Sequence, residues 1–90
     1  MSSYLKFIRL PEVLDLTGLS KSTVYDRITK NLFPMNISLG GRAVGWLLHE
    51  VNIVCAAMAA GANHEQIEAL VINLIAQRND ILEGAMLCNQ

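Results

Sequence analysis

Between Pro34 and Trp46 the spacing of apolar residues changes, and that change constrains the fold more than any other feature. On both sides apolar residues recur every three or four positions, the period of an amphipathic helix. Inside it, "NISL" from Asn36 and "AVGW" to Trp46 have strand character and enclose "GGR". Paired glycines there permit a tight reversal, so a hairpin is predicted over about 36–46. Pro34 ends any helical continuation from the N-terminal side. The chain must therefore pack helices around one short hairpin, and few small architectures do so.

The helices have chemical boundaries. "PEVLDLTG" predicts a short helix over about 11–17, with Pro11 and Glu12 in its first turn and Gly18 as its stop. Val13, Leu14 and Leu16 supply its apolar side. After "GLS" a second helix is predicted over about 21–30, capped by Ser20, whose hydroxyl can accept from the Thr23 amide. Val24 and Ile28 share its inward face with Leu19 and Leu32, and Asn31 suits a left-handed C-terminal position. Beyond the hairpin a third helix is expected over about 48–60, on the stripe Leu47, Val51, Val54, Cys55 and Met58. A last helix starts behind Asn63 with Gln66 as its capping-box partner. Its stripe is Ile67, Leu70, Val71, Leu74 and Ile75, continuing through Ile81 and Leu82 before Gly84. The fold class is mainly α with a small β-hairpin, in the order α-α-β-β-α-α. Residues 1–61 form the core, and 62–90 add a helix that packs on it or forms an interface.

Ninety residues suffice for one domain without disulfide or metal. At 52% hydrophobic the chain is no disordered regulator. The start "MSSYLKFIRLPE" lacks the apolar core of a secretory leader, and "VNIVCAAMAAGA" is too short to span a bilayer. Cys55 and Cys88 form no CxxC pair and are expected to be reduced thiols in a cytoplasmic, nucleoid-associated protein. Charge is divided unevenly. Residues 1–46 hold six Lys and Arg against three Asp and Glu, whereas residues 47–90 hold one against five. A basic front and an acidic back suggest one side facing DNA and another turned elsewhere.

Two helices separated by "GLS" and followed at once by a hairpin match the plan of a winged helix-turn-helix. Its second helix enters the major groove of double-stranded DNA, so its outward side must be polar. Lys21, Ser22, Tyr25, Asp26 and Thr29 lie away from Val24 and Ile28, and for Tyr25 half-buried packing against the hairpin is the alternative to touching DNA. Lys21 and Ser22 open the helix, where free amides favour a phosphate. Gly40 and Gly41 let the hairpin backbone approach closely, and Arg42 supplies a cation at its tip. Asp26 has two readings, a contact to a cytosine amino group or an ion pair with Lys30. Arg27 is expected at phosphate or in solvent. Lys6 and Arg9 are read as solvated, with an arm along the DNA backbone as the alternative. Trp46 closes the hairpin onto the third helix.

The stretch "RLPEVLDLTGLSKSTVYDRI", then "FP", then "LGGRAVGW" and a following "EV", resembles the AlpA-type phage and genomic-island regulators over residues 8–54. That family groups with excisionases, the recombination directionality factors, in the MerR-like winged-helix fold. The resemblance implies a non-enzymatic DNA-binding protein of a mobile element, and it maps groove-facing residues onto Lys21, Ser22, Thr23 and Tyr25 and the wing cation onto Arg42. The candidate DNA-binding set is therefore Lys21, Ser22, Thr23, Tyr25, Asp26, Arg27, Thr29, Lys30, Gly41 and Arg42. Relatives often carry a basic residue where this chain has Asp26, and a basic segment where it has "MNIS".

The resemblance implies that the protein promotes excision by a tyrosine integrase. Transcriptional regulation on the element is the first alternative, and a protein-interaction module with weak DNA binding the second. "HEVNI" and "HEQIE" begin like a zinc-protease HExxH but lack its second histidine, so no metal, cofactor or catalytic residue is expected. Ile53, Ala56, Ala57 and Ala60 of the third helix, and Ala69, Ile72 and Ala76 of the fourth, lie off the main stripes. They are buried within the chain or serve a homodimer or an integrase partner.

Overall fold

The computed structural model describes the backbone of residues 5–88 and the side chains of residues 5–81. Helices α1 (Leu10–Thr17) and α2 (Lys21–Thr29) form the N-terminal pair. Arg9 is the extended residue before α1, and its amide donates to Glu12 Oε1 at 3.4 Å. Gly18 stops the helix in the left-handed region, φ 71°, while its amide donates to the Leu14 carbonyl. In the turn, the Thr17 hydroxyl donates to the Val13 carbonyl at 2.8 Å and accepts from the Leu19 amide at 3.2 Å. Ser20 caps α2 as expected, accepting from the Thr23 amide at 3.2 Å. Asn31 takes the left-handed position at φ 61° just beyond α2.

The hairpin consists of β2 (Ile37–Gly40) and β3 (Ala43–Leu47), joined by Gly41 and Arg42. A third strand, β1 (Phe7–Ile8), pairs antiparallel with the other edge of β3, giving the order β1-β3-β2. Phe7 faces Leu47 and Ile8 faces Trp46. The sequence pattern predicts only the hairpin, because two residues are too few to show a period. The pairing of Ser38 with Val44 and of Gly40 with Ala43 leaves Leu39 as an extra residue, a bulge next to the reversal. Gly45 is the point of closest approach: a Cβ there would lie 2.9 Å from both the Ile8 carbonyl oxygen and Leu39 Cδ1.

Helices α3 (Leu48–Ala59) and α4 (His64–Cys88) follow. The cap of α4 is reciprocal: Gln66 N–H donates to Asn63 Oδ1 at 2.8 Å, and Asn63 N–H to Gln66 Oε1 at 2.9 Å. Helix α4 runs through Gly84, which does not stop it. The expected roles of Leu82 in the stripe and of Cys88 as a thiol lie outside the described side chains.

The core joins every layer. Ile8, Val13, Val24, Phe33, Trp46, Val51, Val54 and Val71 are all buried. On α1 the apolar side is narrower than predicted, since Leu14 is half-buried and Leu16 exposed. Among the described residues, one charged side chain lies in the core. Glu50, 1% exposed, receives Arg78 Nε at 2.8 Å on Oε2 and Arg78 Nη2 at 2.5 Å on Oε1. The same Nη2 donates to the Met35 carbonyl at 3.0 Å. One guanidinium thus fastens α4 to α3 and to the segment that leads into the hairpin. From the sequence Glu50 and Arg78 counted only as opposing charges of the acidic half, since their 28-residue separation hides the pair.

Candidate nucleic-acid interface

Helix α2 presents its inward face through Val24, which is fully buried, and half-buried Ile28. The remaining faces are open. Lys21, Ser22, Asp26, Thr29 and Lys30 are exposed, while Thr23, Tyr25 and Arg27 are half-buried. Residues four apart on a helix stand in a row. Lys21, Tyr25 and Thr29 make such a row, and Tyr25 fixes where it points. Its ring meets that of Trp46 edge-on, with centroids 6.2 Å apart and planes at 67°. The row therefore runs along the flank of α2 nearest the sheet, beside β3, the strand that returns from the hairpin tip.

Trp46 is itself immobilised, fully buried with Nε1 donating to the Pro34 carbonyl at 3.1 Å. Phe33 and Pro34 are buried too, so the "FP" pair serves the core beneath the hairpin. Four residues beyond Trp46 toward the tip lies Arg42, about 13 Å along an extended strand. Arg42 is exposed, and Gly40 and Gly41 beside it have φ of 106° and 55°. Side chains adopt such angles only with strain, which accounts for the glycine pair.

Hydrogen bonds divide the candidate residues into committed and uncommitted groups. Thr23 is committed to the cap, its hydroxyl 2.8 Å from Ser20 Oγ. Ser22 Oγ lies 3.3 Å from the same oxygen. The Thr29 hydroxyl donates to the Tyr25 carbonyl at 3.1 Å. Asp26 pairs with Lys30 at 3.0 Å, the local arrangement of the two that its sequence allowed. Both are more than half exposed, so the pair is weak and easily exchanged for another partner. Among the described residues the other ion pair is Glu50–Arg78, which leaves Lys21, Arg27 and Arg42 without a carboxylate partner. Three unneutralised cations thus occupy the α2 and hairpin elements. A polar helix row, a cation at its first turn and another on a glycine-hinged tip suit a polyanion with a groove.

The remaining features contribute little chemistry. His49 is half-buried and His64 exposed, each in the first turn of its helix. Among the described residues no three His, Cys, Asp or Glu gather as metal ligands, and no helix is long and apolar enough to cross a membrane. Cys55 is half-buried, and burial pushes its thiol pKa above the ordinary value. The residues off the helical stripes are largely unburied within the chain. Ile53 and Ile72 are exposed, as are Ala56, Ala60, Ala69 and Ala76, while Ala57 is half-buried.

Comparison with known proteins finds relatives of the chain by sequence. Residues 6–53 match the family described as "Prophage CP4-57 regulatory protein (AlpA)". The chain is 50% identical over 56 residues to the uncharacterized protein ORF88 of Enterobacteria phage P4, a match covering 62% of this chain and 64% of that one. The chain thus spans a little under two thirds of the phage protein's length. It is 32% identical over 56 residues to the DNA-binding transcriptional activator AlpA of Escherichia coli (strain K12), covering 56% of this chain and 80% of the relative. No solved structure matches.

Proposed function

The chain belongs to the AlpA family of phage regulatory proteins, and from that premise we propose that it binds double-stranded DNA through α2 and the wing. The observation that carries this reading is the row Lys21–Tyr25–Thr29 beside the wing, with Lys21 and Arg42 exposed and, among the described residues, unpaired. In the bound state Lys21, Arg27, Lys30 and Arg42 neutralise phosphates. Ser22, Tyr25, Asp26 and Thr29 face base edges, with Thr23 holding the start of the helix through its cap. Gly41 lets the wing backbone lie close to the duplex. Asp26 exchanges Lys30 for a cytosine amino group at little cost, since their exposed pair is weak.

On this reading the protein regulates a mobile element without catalysis. It binds near an attachment site as a recombination directionality factor, bends the DNA, and biases a tyrosine integrase toward excision. Contacts from a helix and a wing at successive sites favour curved over straight duplex, which gives the bend a physical basis. A second reading, transcriptional regulation of the integrase or other element genes, is favoured by the name of the Escherichia coli relative. The test is genome-wide occupancy of the tagged protein, with Arg42→Ala alongside. Occupancy beside an attachment site that the variant loses supports excision control. Occupancy confined to promoters supports transcription, and none at all overturns DNA binding.

A further inference from the structure

Arg9 is separated from the wing by 35 residues of sequence, yet its Nε donates to the Val44 carbonyl at 3.0 Å. Val44 stands two residues beyond Arg42, about 7 Å along a strand. The side chain is therefore tied to β3, the returning strand of the wing, close to the cation at its tip. That bond uses one of the five N–H donors of the guanidinium. The terminal Nη groups have no hydrogen-bond or ion-pair partner among the described residues, and the residue is exposed. The acid adjacent in the fold, Glu12, turns an oxygen to the Arg9 main-chain amide and forms no ion pair with the side chain.

We propose that Arg9 is a phosphate-binding residue of the wing, its terminal fork held by Val44 so that both Nη groups grip one DNA backbone phosphate beside the one taken by Arg42. A guanidinium fork matches two phosphate oxygens at once, and pinning Nε fixes the direction of that fork before DNA arrives. Lysine could not do both, having no donor within its stem. The proposal rests on the reading of this face as a DNA surface.

The test exploits a coincidence of covalent structure. Glutamine Nε2 is as many bonds from the main chain as arginine Nε, so Arg9→Gln keeps a donor for Val44 and deletes only the charged fork. Binding of the full chain to a labelled mixed-sequence DNA duplex is measured across a salt series, with thermal melting alongside. Arg9→Gln should melt with the wild type and lower the slope of log affinity against log salt by about 0.9, one phosphate contact. The loss of affinity between roughly 50 and 200 mM salt would then be about 3.5-fold smaller than for the wild type. Arg9→Lys, which retains charge, should keep the wild-type slope even if either variant melts early.

An unchanged slope in Arg9→Gln, with a reduced slope in Arg42→Ala, would leave the wing on DNA and make Arg9 only a brace. Equal loss of slope in Arg9→Gln and Arg9→Lys would likewise overturn the phosphate contact. Absence of salt-dependent binding in the wild type would overturn both readings together.

Discussion

Tyr25 of α2 and Trp46 of β3 meet edge-on at 6.2 Å, so the helix proposed to enter the groove and the hairpin share one joint. Trp46 is fully buried and donates its Nε1–H to the Pro34 carbonyl behind it. The aromatic contact and the core beneath it thus help set the orientation of α2 relative to the hairpin.

Removal of that joint should be felt in stability and binding together. Tyr25→Ala is expected to cost about 2 kcal/mol, below the loss for a fully buried ring because Tyr25 is half-buried. Tyr25→Phe retains the ring and should stay within about 0.5 kcal/mol of wild type. Urea denaturation of the two variants measures the difference directly.

The buried ion pair makes a sharper prediction. Glu50→Ala would leave the Arg78 guanidinium facing the core without its carboxylate, costing about 3–5 kcal/mol. For a chain of this size each kcal/mol lowers the melting temperature by about 4–8 °C. The double variant Glu50→Leu with Arg78→Met removes both charges and should melt above either single substitution. A double variant no more stable than the singles would show that the pair contributes more than mutual neutralisation.

Close approach at Gly45 is a separate vulnerability. Its missing side chain leaves room for the Ile8 carbonyl, a backbone atom that cannot rotate away. Gly45→Ala should push β1 from β3 and cost about 1–3 kcal/mol. Hydrogen exchange at the Leu48 amide, which donates to the Lys6 carbonyl at 2.9 Å, reports that separation.

Burial at Cys55 raises its thiol pKa, so at neutral pH the reactive thiolate is scarce. In a Cys88→Ser background, iodoacetamide should label the folded chain more slowly than the urea-unfolded chain. The sign for stability follows from the raised folded value. The contribution of this thiol is complete below the unfolded pKa and is lost as pH rises through the folded one. Denaturation midpoints measured on the alkaline side of neutrality should therefore fall further in wild type than in Cys55→Ala.

What could be read from the sequence was local chemistry. Ser20 with Thr23, Asn63 with Gln66, Gly18 and Asn31 each act within a few residues, and each occupies the position its chemistry predicts. The hairpin and the interior place of Trp46 were equally legible, because the period changes on both sides of them. Long-range relationships were not. β1 exists only because β3 is beside it, Glu50 is buried only because Arg78 arrives from α4, and Arg9 reaches the wing across the sheet edge. In the site, the exposure of Lys21, Thr29 and Arg42 was visible from spacing, while the ring contact of Tyr25 with Trp46 and the engagement of the Thr23 hydroxyl with Ser20 required coordinates. The exposed Ile53 and Ile72 show the same divide, since periodicity shows that they lie off the stripe but not what faces them.

The measurement that bears most directly on the central claim is the salt dependence of binding to duplex DNA by the wild type and by Lys21→Ala with Arg42→Ala. These two cations lie on the helix and the wing, and both are exposed and unpaired among the described residues. Binding by the wild type should be steeply salt-dependent, with a slope lower by about two in the double variant and an unchanged melting temperature. Wild-type binding whose slope survives both substitutions, or no binding at low salt, would contradict that claim.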